Sequence, residues 1–255
     1  MKTLVKLLGG ALLIFIAPAA CKKESTASTS STTSPTGITA IPDVYKKIYG
    51  ATDMYISGNY LVIKATSLPD HKSPYYLGTK WASKYEAYNG TDPNYSVNPN
   101  TIAESDLTYK IPLNPAVATN HQATPGGPIG VSLNGVPLFN QYNGQNAPLT
   151  NEINSFDQYG GHPQMQGLYH YHAEPNYLTT QKGKDAMIGF LLDGFPVYGP
   201  LENGKTIVNS DLDVYHGHFS VTTDYPKGIY HYHITAAEPY INGNGFYGTA
   251  GTVSQ

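Results

Sequence analysis

The chain has no arginine: all 15 of its basic residues are lysine, against 18 acidic residues, for a formal net charge of −3. Nucleic-acid binders carry a basic excess and use the guanidinium fork to grip phosphate and guanine. That class is excluded, and so are bidentate clamps on anions. Charged residues are only 13% of the 255, whereas long-helix and coiled-coil proteins draw about half their residues from Ala, Glu, Lys, Leu and Arg. There is one cysteine, Cys21, and one tryptophan, so neither a disulfide framework nor a thiolate metal site can be built. No Gly-x-Ser-x-Gly elbow and no phosphate-binding glycine loop occurs, which removes serine hydrolases and nucleotide enzymes and leaves no nucleotide partner.

Long apolar runs are also missing, and the longest sits at the start. Lys2 and Lys6 precede an apolar stretch over residues 12–16, followed by Ala17, Pro18, Ala19 and Ala20. That stretch is too short to span a bilayer, and its order reads as an export signal over residues 1–20. Cys21 follows directly. The arrangement resembles a bacterial lipoprotein signal, in which such a cysteine becomes the lipidated first residue, although Pro18 stands where an aliphatic residue is usual. Residues 22–36 are nearly all Ser, Thr and Lys, so residues 21–37 read as a lipid anchor and tether. Fifteen such residues reach roughly 20 Å. Removing the signal takes two lysines, leaving 13 against 18 and a net charge of −5, a sign that does not attract anionic lipid. The expectation is a protein of the bacterial cell envelope, held to the outer membrane or cell surface by its lipid.

What the chain has instead is 26 glycines, 19 prolines and 22 tyrosines. Gly and Pro at this density call for short strands and turns. The expected fold class is all-β, a loop-rich single domain over residues 38–250. Its N-terminal section covers 38–120, with a strand over Tyr60–Ala65, a short helix over residues 80–88 and long loops through 66–128. Beyond it the chain repeats. GVSLNGVPLFN at 130–140 matches GFLLDGFPVYGP at 189–200, and GLYHYHAEPNYL at 167–178 matches GIYHYHITAAEPYI at 228–241. Asn134-Gly135 and Asp193-Gly194 signal hairpins with type I′ turns, and turn geometry accounts for Asp193. Two related units, 121–180 and 181–245, are expected to pack about a pseudo-twofold axis.

The nine histidines carry the chemistry. Six of them form His-x-His pairs: His170/His172, His216/His218 and His231/His233. In a strand, residues i and i+2 share a face about 6.5–7 Å apart, close enough to converge on one ion. In Tyr169-His170-Tyr171-His172 and Tyr230-His231-Tyr232-His233 the alternation puts histidines on one face and tyrosines on the other. His162 follows Gly160-Gly161 in the first unit and His218 follows Gly217 in the second, so each unit supplies a third imidazole. An all-imidazole set without thiolate suits zinc or copper. His121 and His216 read as ordinary polar residues. Glu174 and Glu238 each precede proline shortly after a tyrosine–histidine run and are candidates for ligand, supporting carboxylate or general base. Binding through imidazole should weaken below about pH 6.5.

Taken together, LPDH (68–71), NPNTI (98–102), IGVSLNGVPLF (129–139), GGHP (160–163) and GLYHYH (167–172) resemble the YHYH-domain family. So do IGFLLDGFPVYGP (188–200), DLDVYHGHF (211–219) and GIYHYHIT (228–235). The resemblance spans roughly residues 60–248. It implies that His71, His162, His170, His172, His218, His231 and His233 are motif histidines, and it implies little about activity. Tyr159 and Tyr215 stand near the family's cysteine-containing segments, so no disulfide is implied here. Three functions remain open. One is a metal-binding module; another is a metallohydrolase with Glu174 or Glu238 activating water. The third is a module that binds glycans or other surface polymers through exposed tyrosine.

Overall fold

A computed structural model describes residue 38 and residues 40–255; the signal, Cys21 and the tether lie outside the described residues. Tyr60–Ala65 is a strand, as its YLVIKA sequence dictates, and it pairs in a tight hairpin with Asp53–Ser57 through a turn at Gly58 with φ +60°. These are β1 (Asp53–Ser57) and β2 (Tyr60–Ala65). A strand also lies inside the segment expected to be loop: β3, Leu107–Pro112, alternates buried Leu107, Tyr109 and Ile111 with outward Thr108 and Lys110. Its period of two is that of a half-buried strand. The C-terminal strand Thr252–Ser254 pairs with β3 and completes a four-stranded antiparallel sheet. Residues 80–88 hold only a 3-10 turn, Ala82–Lys84. One short α-helix, α1 (Asn176–Lys182), occurs among the described residues. The fold is therefore mostly strands and loops, with that helix as its exception.

The repeated segments build a second sheet of eight strands. From the first repeat come β4 (Gly130–Ser132), β5 (Pro137–Leu138), β6 (Gly161–Pro163) and β7 (Tyr169–Tyr171). From the second come β8 (Met187–Leu191), β9 (Pro196–Tyr198), β12 (Gly217–Ser220) and β13 (Ile229–His233), with a two-stranded ribbon, β10 (Leu201–Glu202) and β11 (Lys205–Thr206), between β9 and β12. The order across the sheet is β12-β13-β9-β8-β4-β5-β7-β6. Matching each strand to its repeat counterpart makes this order the same from either edge. At the centre β4 and β8 run antiparallel with Val131 opposite Phe190, and those two residues hold equivalent places in the repeat.

Both hairpin signals form hairpins, with a different turn. Gly135 N donates to Ser132 O (2.9 Å) and Ser132 N to Val136 O (2.9 Å), while Gly194 N donates to Leu191 O (2.9 Å) and Leu191 N to Phe195 O (3.0 Å). Only the glycine of each pair has positive φ, +81° and +83°. A three-residue loop of this kind needs one left-handed position, not the two of type I′. The central strands are buried on both faces, and Val131, Leu138, Phe190 and Val197 join Leu61, Ile63, Tyr109 and Ile111 in one continuous core.

Candidate metal centres

Each tyrosine–histidine strand is one arm of a hairpin whose other arm brings the third imidazole. β6 pairs antiparallel with β7, placing His162 opposite His170; β12 pairs with β13, placing His218 opposite His231. Directly opposed residues have Cβ atoms about 4.5–5.5 Å apart, so each hairpin gathers three histidines on one face. The glycine before each third histidine is dictated by contact. A Cβ on Gly161 would lie 2.6 Å from the Tyr169 ring and 2.7 Å from His170 O; one on Gly217 would lie 2.5 Å from the Tyr230 ring and 2.5 Å from His231 O.

The tyrosine faces are fixed by hydrogen bonds. Tyr169 OH donates to Asp157 Oδ1 (2.8 Å), and the same oxygen accepts from Tyr159 N (2.9 Å); Asp157 Oδ2 accepts from Ser73 Oγ (2.6 Å). Tyr230 OH donates to Asp213 Oδ1 (2.9 Å), which accepts from Tyr215 N (2.9 Å). The second tyrosine of each strand meets the hairpin residue: Asn134 Nδ2 donates to Tyr171 OH (3.1 Å), and Tyr232 OH donates to Asp193 Oδ2 (2.6 Å). Asp193 is thus more than a turn residue. It is fully buried and also accepts from Gly248 N (2.9 Å). An Asp-x-Tyr-x-Gly-His pattern at 157–162 and 213–218 runs through both repeats; its aspartate ties the loop before the third histidine to the strand that bears the other two.

On the histidine face of the first hairpin, Nε2 of His162 lies 3.1 Å from Nε2 of His170, which lies 2.9 Å from Nε2 of His172. Glu152 Oε1 is 3.2 Å from His162 Nε2 and 3.9 Å from His172 Nε2. In the second hairpin, Nε2 of His231 and His233 are 3.1 Å apart, and the Glu202 carboxylate is 3.4 Å from His218 Nε2 and 3.6 Å from His231 Nε2. In each group the four ligand atoms lie within 4.8 Å of one another. Four ligands held at 2.0–2.1 Å around a tetrahedral zinc stand about 3.3–3.4 Å from one another. The observed spacings bracket that value.

The hydrogen bonds on the far side of each ring decide what these contacts are. His170 Nδ1 donates to Leu168 O (3.0 Å) and His172 Nδ1 to Asn140 O (2.5 Å). His162 Nδ1 meets Ser155 Oγ (2.7 Å) and, more distantly, the Asn98 amide (3.4 Å), while its Nε2 faces Glu152. In the second group His231 Nδ1 donates to Ile229 O (3.0 Å) and His233 Nδ1 to Gly199 O (2.8 Å). A neutral imidazole with its proton on Nδ1 has only a lone pair on Nε2. The Nε2 lone pairs of His170 and His172, and of His231 and His233, therefore face each other with no proton between them. Protonation is disfavoured: burial, with neighbouring imidazoles adding to it, holds His170 well below the usual histidine range, and burial takes His172 and His233 to about 4 and lowers His231. A cation at the centre relieves this arrangement, and the donor set, three imidazoles and one carboxylate, is that of a divalent transition metal. Glu152 is held below the ordinary carboxylate range chiefly by its contact with His162. Burial pushes Glu202 up, but the Ser220 hydroxyl and the three imidazoles outweigh it and leave Glu202 lowered.

Six of the seven histidines expected as ligands gather in these two groups. His71 belongs to neither. It is buried behind the tyrosine face, where Nδ1 meets Lys72 O (2.8 Å), Nε2 meets Tyr171 OH (2.9 Å), and the ring lies 4.4 Å from Tyr159 and 5.1 Å from Tyr177. Glu174 and Glu238 also lie in neither group: Glu174 Oε1 accepts from Thr179 Oγ1 (2.5 Å) and pairs with Lys184 (3.3 Å), and Glu238 is exposed. His216 is buried against Thr235 Oγ1 (2.9 Å), and His121 stacks 4.2 Å from Tyr215. The carboxylates at the sites are Glu152, from the 3-10 turn Glu152–Ser155, and Glu202, from β10. They stand ten residues before and sixteen before their third histidines, so no common spacing marks them.

Comparison with known proteins adds one finding. A family model described as YHYH protein matches residues 108–206 and 201–246. No curated protein and no solved structure matches the chain.

Proposed function

The chain belongs to the YHYH protein family, and from that premise we propose that it binds two divalent transition-metal ions, one in each three-histidine, one-carboxylate cluster. One observation carries this reading: in each group the ligand atoms of three histidines and one carboxylate lie within 4.8 Å of one another, with Nδ1 of His170, His172, His231 and His233 turned away onto backbone carbonyls. Zinc and copper fit the nitrogen-rich set best. The two ions act separately. β7 and β13 are five strand spacings apart in the sheet order, about 24 Å along it, far beyond the 3.5–4 Å of a shared two-metal centre.

Export and lipid attachment at Cys21 complete the proposal. They are supported by the Lys2/Lys6 start, the apolar stretch, the small residues before Cys21 and the polar run after it. The protein is then a metal-binding module held at the envelope surface. Glu174 and Glu238, the carboxylates that the hydrolase alternative names as base, lie outside both clusters, so no hydrolytic step is part of the proposal. The polymer-binding alternative draws on exposed tyrosine, which Tyr49, Tyr55, Tyr60 and Tyr85 supply, but it leaves the converging histidines unexplained.

The test is elemental analysis of the chain purified without a polyhistidine tag. Two ions per chain are expected, falling to one in His170→Ala/His172→Ala and one in His231→Ala/His233→Ala. Fewer than about 0.2 ions per folded chain after reconstitution with zinc or copper would sink the reading.

A further inference from the structure

We propose that the ion held by His218, His231, His233 and Glu202 takes an organic oxyanion, a carboxylate or phosphate ester, as an additional ligand whose body lies in the adjoining groove. This rests on the metal-binding reading above. His231, His233 and Glu202 line a groove of about 920 Å³, together with Lys46, Lys47 and Lys182. That volume is of the size that holds small organic ligands. The floor beside the histidines is apolar, with buried Leu133, Met187 and Tyr198, and Thr222 adds a hydroxyl.

The charges decide which ligand fits. The three lysines are balanced by Glu202, Asp185 and Asp224, so a divalent ion turns a neutral groove positive. Asp224 is occupied on both sides, by Lys47 and by Tyr198 OH (3.0 Å), and Lys46 is paired with Asp43 (2.6 Å). Lys182 has no carboxylate within ion-pair distance among the described residues; its ammonium sits 5.1 Å over the Tyr49 ring. Lys182 lines the same groove as His231 and His233, so an oxyanion bound there has that ammonium as its unpaired counter-charge. The other cluster has nearly the same ligands but opens into a different groove. Its cavity of about 680 Å³ is lined by Asn140, Asn143, Asn146 and Gln164 and by no lysine. The two centres therefore differ in what can approach them: only the second is built for an anion.

Cobalt(II) loading makes the test optical. The chain is loaded with cobalt and titrated with phenyl phosphate, benzoate and inorganic phosphate while the visible ligand-field bands are followed. Saturable band shifts are expected with phenyl phosphate or benzoate, and the tighter of the two identifies the oxyanion. The shift should persist in His170→Ala/His172→Ala, vanish in His231→Ala/His233→Ala, and require about threefold more ligand in Lys182→Ala. Cobalt bound at both centres with no band shift up to about 10 mM of any anion overturns the inference and leaves the metal reading intact. Inorganic phosphate binding as tightly as phenyl phosphate, or Lys182→Ala binding as tightly as the parent, overturns the role of the groove. Failure to bind cobalt at all overturns the metal reading, and the anion with it.

Discussion

Metal-linked stability is the sharpest measure of the two centres. An ion that binds only the folded chain adds about 2.7 kcal/mol when its free concentration is 100 times its Kd. Two independent centres, each already spaced at 2.9–3.9 Å among the contacts given above, add about 5 kcal/mol, because little rearrangement is needed to close on an ion. In a folded unit of this size, residues 40–255, 1 kcal/mol moves Tm by roughly 2–4 °C, so saturation with zinc should raise Tm by roughly 10–20 °C over the EDTA-treated protein. His170→Ala/His172→Ala and His231→Ala/His233→Ala each open a cavity where imidazoles were buried, so their ion-free Tm falls for reasons unrelated to metal. The quantity to compare is the increment from EDTA to zinc, by differential scanning calorimetry. It should fall to about half in each double variant and to nothing in the quadruple variant. An increment below about 2 °C in the parent, or the full increment surviving in either double variant, refutes the reasoning.

Acid should destabilise the ion-free protein. His172 and His233 titrate near 4 when folded and near 6.5 when unfolded. Between those values the unfolded chain binds more protons, so stability is present above pH 6.5 and is lost as pH falls toward 4, by about 1 kcal/mol per unit for each buried imidazole; urea midpoints at several pH values measure it. Protons and zinc compete for the same imidazole lone pairs, so zinc affinity should weaken in acid, which isothermal titration at several pH values will read. Asp157→Ala strands the hydroxyls of Ser73 and Tyr169 in a buried site and should cost about 3 kcal/mol or more, whereas Asp213→Ala, at an exposed position, should cost about 1 kcal/mol; equal losses in chemical denaturation would contradict the assignment. Gly161→Ala drives a methyl into the Tyr169 ring and His170 O. It should cost about 1–3 kcal/mol and weaken zinc at the first centre about tenfold or more, with the second centre unchanged.

The parts legible in the sequence are those whose signal is local. Alternation in YLVIKA gives β2, Asn134-Gly135 and Asp193-Gly194 give hairpins, and Tyr-His-Tyr-His gives strands with two chemically distinct faces. Four of the six clustered histidines follow from that alternation in its two copies, and His162 and His218 from the glycine before each. What stayed hidden depends on tertiary placement. Glu152 arrives on a 3-10 turn and Glu202 on a two-residue strand, at unrelated distances from their histidines. β3 was masked by its proline- and asparagine-rich surroundings, and α1 begins after Pro175 with no side-chain cap and is too short to show a helical period. His71 shares the family motif with the ligands, but its ring is closed in by Tyr159 and Tyr177, so motif membership alone does not distinguish a ligand from a packing residue. The turn type was missed because a single left-handed glycine and a pair of left-handed residues draw on the same Asn-Gly and Asp-Gly dipeptides.

The pairing of β4 with β8 carries one more consequence. Val131 faces Phe190 across the centre of the eight-stranded sheet, so each half of the chain meets the other through its own counterpart. Such a seam is self-matching, like the contact between two identical subunits. The link through α1 does not create the match; it keeps the two halves at high local concentration. A crowded preparation can offer the same half from another molecule, so exchange of halves between chains is the association to look for at high concentration.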